Sequence, residues 1–405
     1  MRILHITPAF QHPTVRGPNR HYHFIRELSQ RHQITLLTLT RSKVSDEAMR
    51  EMTTYTEQML TFSANGASSP HSDGALRKLP WSGTKMEKAL QLREGVAQMK
   101  RAFTQLTRQE PYDVVLFHGK SVFPVIEDWN DLPIVVDFCD ATSMRIRAEM
   151  RYAGTVRIPW HVLRYLQVRQ VEKKLVAKTP HLAFISARDR EAVLGPDDRS
   201  EVVPNGVDIQ YWKRQANRPE SYCLIFTGVM SYTPNEDAAL YLIEKILPLV
   251  RRSVSNLQVL IVGRDPSPAL LKQAQPYPDI TVTGSVDDMR PYLERATLCV
   301  APLRYASGMQ NKVLEAMAME VPVITTSIAA VGLRLNNAEP PICVADGEVQ
   351  FAERIVHLFG QTKERSRLAT EGRQFVENNF VWSRSAEKLE RLCAAALETK
   401  RRGDK

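Results

Sequence analysis

Short, mostly apolar runs recur along the 405 residues, at 3–7, 33–40, 58–62, 113–117, 134–138, 181–185, 201–203, 222–227, 257–262, 280–282, 298–303, 321–325 and 342–344. Runs this short that are apolar on both sides of the pleat predict strands of a parallel sheet buried on both faces. Between them, apolar residues return at helical spacing over 19–31, 45–56, 86–108, 144–178 and 234–249, and helices are predicted again from 345 to the C-terminus. Strands alternating with helices predict α/β units. Two stretches interrupt the pattern. Residues 63–83 are rich in Ser, Gly and Pro and read as a loop, and Lys213 to Pro219 is polar and reads as a linker. The basic stretch 144–178 is expected to be broken at Pro159-Trp160.

Length favours two cores over one. The net charge is +9, with 54 Lys and Arg against 45 Asp and Glu. No nucleic-acid module accompanies that excess, so anionic substrates or lipid headgroups are its expected partners. Residues 144–178 carry much of it, with Trp160, Leu163 and Leu166 interleaved. This reads either as a surface helix with a solvated basic face or as a peripheral contact with anionic membrane. The 5 cysteines are scattered and never in Cys-x-x-Cys spacing. A reducing, cytoplasmic setting is expected, with no structural metal. No apolar run approaches the length of a membrane span. The chain also lacks Gly-x-Gly-x-x-Gly, a complete Gly-x-x-x-x-Gly-Lys-Ser/Thr loop and Asp-x-Asp. That disfavours a dinucleotide oxidoreductase, a P-loop NTPase and a metal-dependent transferase.

The strongest chemistry lies in Ser307-Gly308-Met309-Gln310-Asn311-Lys312-Val313-Leu314-Glu315-Ala316-Met317-Ala318, between two predicted strands. Gly308 permits a tight turn. The amides of Met309, Gln310 and Asn311 are expected at a helix start, where a phosphate is favoured, and Lys312 adds a full charge. Val313, Leu314 and Met317 share an apolar face, which leaves Lys312 and Glu315, three apart, on a polar one. A phosphate-binding turn followed by one acceptor carboxylate suits a sugar nucleotide. The alternative is an exposed Lys–Glu pair, but a position at the carboxyl end of a strand favours a ligand.

Leu314-Glu315-Ala316-Met317-Ala318 with Pro322-Val323-Ile324 resembles the donor-binding signature of family 4 glycosyltransferases of the GT-B fold, and Pro204-Asn205-Gly206-Val207-Asp208 resembles the entry to that family's linker. The Gly-x-Gln-Asn-Lys form is similar to a branch associated with exopolysaccharide assembly. The resemblance implies an α/β GT-B architecture of two Rossmann-like domains facing each other across a cleft. The expected division is an acceptor domain at 1–208, a linker at 209–220 and a donor domain at 221–382, with a last helix, 383–403, returning to the first domain. It implies transfer of a sugar from a nucleoside-diphosphate donor to a glycan or lipid-linked acceptor, with retention, no metal and no cofactor.

Carried over by position, Gly17, Gly228, Arg264, Val286, Gly308, Met309, Gln310 and Asn311 would bind the donor. His118, Lys312 and Glu315 would form the catalytic group, with His118 against the donor sugar. Asp140 reads either as a helix cap or as an acceptor contact. Three features depart from the family: Ser307 stands where many members carry an acid, the usual Arg and Lys near Gly228 are absent, and Met319-Glu320 replace a helix-ending glycine. The last predicts that this helix ends differently. A sugar-nucleotide epimerase and an inactive scaffold are the rival readings. The epimerase needs carboxylates on both faces of the sugar, which Ser307 disfavours.

Overall fold

The computed structural model describes residues 1–15, 19–41, 43–64, 85–150, 158–198, 200–215, 220–306, 308–335 and 338–403. Gly17, Ser307, most of the 63–83 loop and the end of the expected linker lie outside the described residues.

The strands form two parallel sheets. In the first, β1 (Arg2–Thr7), β2 (Gln33–Thr40), β3 (Gln58–Ser63), β4 (Val114–His118), β5 (Ile134–Phe138), β6 (Leu182–Phe184) and β7 (Glu201–Val202) lie in the order 3-2-1-4-5-6-7. In the second, β8 (Cys223–Thr227), β9 (Gln258–Val262), β10 (Ile280–Val282), β11 (Leu298–Ala301), β12 (Val323–Thr325) and β13 (Cys343–Val344) lie in the order 10-9-8-11-12-13. β1, β4, β5, β8 and β11 bury nearly every residue, as expected where helices cover both sheet faces. The strand order reverses at β1/β4 and at β8/β11. Those are the points where adjacent loops diverge and leave a crevice.

Two strand ends differ from the sequence pattern because of proline, which has no amide to donate. β11 stops at Ala301, before Pro302, and β12 starts at Val323, after Pro322. Pro159 does not break a helix. It sits in the first turn of helix Ile158–Lys178, where a missing amide costs nothing.

Helix Asn311–Ala318 does not end in a new way. Glu320 donates its amide to Met317 O (3.0 Å) and Val321 donates to Ala316 O (2.9 Å). This is the bond pair of a Schellman end, with Glu320 at φ +55° where glycine is favoured. Glu320→Gly is therefore expected to stabilise the protein by up to about 1 kcal/mol. That would raise the thermal midpoint by roughly 2–4 °C, readable by calorimetry.

The chain crosses between the sheets twice. Val207 donates its amide to Phe380 O (2.7 Å), which pins the two crossings together. Helix Trp382–Gly403 then packs on the first sheet. Trp382, Ala386, Leu389, Cys393 and Ala396 form one buried stripe against Phe24, Ile25, Leu28 and Val135.

Candidate functional site

A cavity of 570 Å³ opens between the two sheets. Most of its wall comes from loops at the carboxyl ends of second-sheet strands. Gly228, Val229, Tyr232 and Asn235 follow β8, Gly263 and Arg264 follow β9, and Val286 and Asp287 follow β10. The start of helix Asn311–Ala318 supplies Lys312 and Glu315, and Pro13 and Asn19 close the cavity from the first domain. A second cavity of 540 Å³ continues past Glu315, Asn311 and Tyr211 to Arg26, Asp208 and Trp382.

Two glycines let the wall form. Gly263 has φ +148°, and a Cβ there would lie 1.7 Å from Gly228 O, so any side chain at 263 would displace the β8 loop that lines the cavity. Gly308, at φ +63°, turns the chain into helix Asn311–Ala318 and rests on the first domain. Its amide donates to Asp189 Oδ1 (3.3 Å), and Arg188 donates to Ile328 O (2.7 Å) and Gly308 O (3.4 Å).

Lys312 and Glu315 share the cavity wall. Lys312 Nζ donates to Asn235 Oδ1 and lies 4.6 Å from the centre of the Phe226 ring. Asn235 Nδ2 donates to Val229 O (2.9 Å), which fixes the amide that holds the lysine. Desolvation lowers the Lys312 pKa to about 8. Desolvation raises Glu315 to about 7, partly offset by Lys312. A dianionic ligand prefers the protonated lysine. Nucleoside diphosphate affinity is therefore expected to fall above about pH 8, by up to about tenfold per pH unit, as the free protein loses that charge. Calorimetric titration from pH 7 to pH 10 checks this, and Lys312→Ala should flatten the descending limb.

Arg264 and Val286 also line the cavity. The Arg264 Nε is buried without a hydrogen-bond partner, 3.9 Å from Asp265 Oδ2. The helix starts two residues later than the Gly308 turn suggested. Gln310 is the cap residue, and the first-turn amides run from Asn311 onward. Met309 touches the cavity, and its Sδ accepts the Asn205 amide (3.2 Å). Asn205 Nδ2 also donates to Asn311 Oδ1 (2.9 Å).

His118 lines neither cavity. Its expected place against the donor sugar is not among the contacts that either cavity makes. It is buried, stacked on His21 with ring centres 4.1 Å apart, and its Nδ1 lies 3.1 Å from Asp137 O. Desolvation, and then His21, push its pKa down to about 3, so the ring is neutral. His21, His118, Asp137 and Cys139 bring their ligand-type atoms within 4.8 Å of one another. Arg20 already supplies the positive charge there, donating to both Asp137 oxygens (2.8 and 2.9 Å). Asp140 is not a helix cap either. Its Oδ1 accepts from Thr142 Oγ1 (2.7 Å), and the carboxylate pairs with Lys120 and Arg145 at 3.5 Å. The cap residue is Ala141, with no side-chain bond.

Asn235, Asn205, Asp189, Arg188 and Arg20 were not singled out in the sequence. Asn205 stands inside a recognised string. The others act through partners far along the chain, which no local spacing reveals.

Residues 221–361 match the family model described as glycosyl transferases group 1. The solved structure of Anabaena Alr3699/HepE in complex with UDP and glucose overlays with a TM-score of 0.65 over 98% of this chain and 100% of that one, at 12% identity. The chain has the GT-B fold, and the part of it that matches the group 1 glycosyl transferase model lies in its second domain. Sucrose-phosphate synthase from Thermosynechococcus elongatus overlays on this GT-B chain with a TM-score of 0.70, 15% identity, and coverage of 98% and 99%. Among curated sequences, the capsular polysaccharide biosynthesis glycosyltransferase CapM of Staphylococcus aureus is 30% identical over 116 residues. That match spans 28% of this chain and 30% of the relative, under a third of either.

Proposed function

We propose that the protein transfers a sugar from a nucleoside-diphosphate donor to an acceptor hydroxyl, with retention of configuration, in the assembly of a cell-surface glycan such as an exopolysaccharide. The observation that carries this reading is the Lys312–Asn235 pair at the end of the β8/β11 crevice, with Glu315 one helical turn further along the same wall. The diphosphate would lie against Lys312, Arg264 and the first-turn amides from Asn311 onward. Glu315 would accept from ribose hydroxyls, and the base would rest near Val286. Breaking the bond from the anomeric carbon to phosphate leaves charge on the diphosphate. Lys312 is aimed at that charge from a desolvated wall, where such stabilisation is largest. The acceptor oxygen takes the anomeric carbon, and its proton passes to the leaving phosphate. The charge on Lys312 and Arg264 takes the place of a metal in this scheme. Asp140, held by Lys120 and Arg145, is the acceptor-side candidate.

HepE, with the same fold, was solved with UDP and with UDP-glucose, so uridine diphosphate sugars come first in the test. The experiment is release of nucleoside diphosphate from a panel of sugar nucleotides without acceptor. Slow release from one donor class, lost in Lys312→Ala, supports the transferase. A wild type that binds and hydrolyses nothing in the panel supports an inactive scaffold instead.

A further inference from the structure

Among the described residues, thirteen large hydrophobic side chains are exposed, and five of them fall within nine residues at the start of helix Ile158–Lys178. Trp160 and Leu166 are each 58% exposed and Leu163 is 56%, with Ile158 and Val162 beside them. At helical spacing Val162, Leu163 and Leu166 lie on the side away from Glu172 and Leu175, which are buried against the first domain, and Ile158 and Trp160 are exposed in the helix's first turn. One helical turn further on, the exposed side becomes polar at Gln167, Gln170 and Lys173. The patch therefore has an apolar centre and a defined end.

Its surroundings are cationic. Residues 142–178 carry nine Lys and Arg against two Glu, most of the chain's +9 excess. Both glutamates are already engaged. Glu149 pairs with Arg145 (2.8 Å), and the buried Glu172 lies beside Lys120 (3.5 Å) and Arg169 (3.6 Å). Arg164 stands over the Trp160 ring at 5.3 Å, which keeps a cation at the edge of the apolar centre. Arg147 and Lys173 are exposed.

We infer that this face docks on an anionic lipid bilayer. Aromatic and aliphatic side chains enter the headgroup boundary while the flanking arginines and lysines meet lipid phosphate. A second copy of the chain is the poorer occupant, because two-fold pairing would bring these cationic segments face to face. No described helix is long and apolar enough to cross a membrane, so the contact is interfacial. The adjoining helix Thr142–Glu149 looks across the cleft, with Arg145 in electrostatic reach of Tyr232 and Glu149 of Tyr305. Docking would thus set the cleft mouth at the lipid surface. The inference does not depend on the transfer reaction.

The test is co-sedimentation of the whole chain with vesicles of phosphatidylcholine alone or mixed with phosphatidylglycerol, at low and high salt. Wild type is expected to bind the anionic vesicles at least about tenfold more tightly than the neutral ones, and to lose that preference in high salt. Trp160→Ser, Leu163→Ser and Leu166→Ser together should weaken binding at least about tenfold with an unchanged thermal midpoint. Arg147→Gln with Lys173→Gln should reduce only the anionic preference. Failure of wild type to prefer anionic vesicles, or unaltered binding by the triple variant, would overturn the inference. So would a dimer in light scattering that the triple variant dissociates.

Discussion

Lys312→Ala is expected to lower donor turnover, measured as kcat/KM for nucleoside diphosphate release, by roughly two to three orders of magnitude, the loss typical of one well-placed charge-stabilising group. Lys312 is the cation that points from helix Asn311–Ala318 to the β8 loop, and Asn235 holds it there. The same substitution should spare the fold. Burial works against the lysine's charge, the direction its lowered pKa records, so the wild-type protein carries a cost that alanine removes. A thermal midpoint that stays level or rises while turnover collapses separates a functional role from a structural one. Equal losses in both would assign Lys312 to the scaffold.

Arg20→Ala is expected to have the largest effect on stability, a loss of about 3–5 kcal/mol, because it strands a buried carboxylate. Arg20 and Asp137 are each 2% exposed. Besides Asp137, Arg20 donates to Asn205 Oδ1 (2.8 Å) and Val203 O (2.7 Å), so one guanidinium joins the β5 end to the segment leading out of the domain. Urea titration measures the loss. Replacing the pair by Arg20→Met with Asp137→Leu should cost less than Arg20→Ala alone, since no unpaired charge remains. The pH dependence follows the same pair. Burial alone would raise the Asp137 pKa, but Arg20 and His21 outweigh it and hold the carboxyl well below its usual range. An acid with a depressed folded pKa contributes stability above its unfolded value, about 3.9, and loses it as pH falls further. Wild type should therefore weaken steeply in that acid range, and the Arg20→Met, Asp137→Leu variant should not.

Local pattern carried the strands well. β2, β5 and β10 have the ends that their apolar runs mark, because polar or turn residues flank them. Prolines were harder. Pro159 read as a break and is a helix start, since the same missing amide is harmful inside a helix and harmless in its first turn. Glu320 shows the limit of propensity: tertiary packing holds a non-glycine residue at φ +55° to keep a Schellman end. At the cavity, the three-residue spacing of Lys312 and Glu315 made their shared side legible. Asn235 was not, because it meets Lys312 across 77 residues, and Arg20 meets Asp137 across 117. His118 was placed by its strand end. What its ring does depends on His21 and Cys139, brought beside it only by the fold.

The central claim is that the cavity beside Lys312 and Glu315 holds a nucleoside diphosphate. Calorimetric titration of wild type, Lys312→Ala and Glu315→Ala with UDP, GDP, CDP and ADP at pH 7 tests it most directly. The account predicts that one base binds wild type, that Lys312→Ala loses at least about tenfold in affinity, one full charge contact being worth upwards of 1.4 kcal/mol, and that Glu315→Ala is weakened for the same nucleotide. Tight binding left unchanged by both substitutions, or no binding of any nucleotide by wild type, would contradict it.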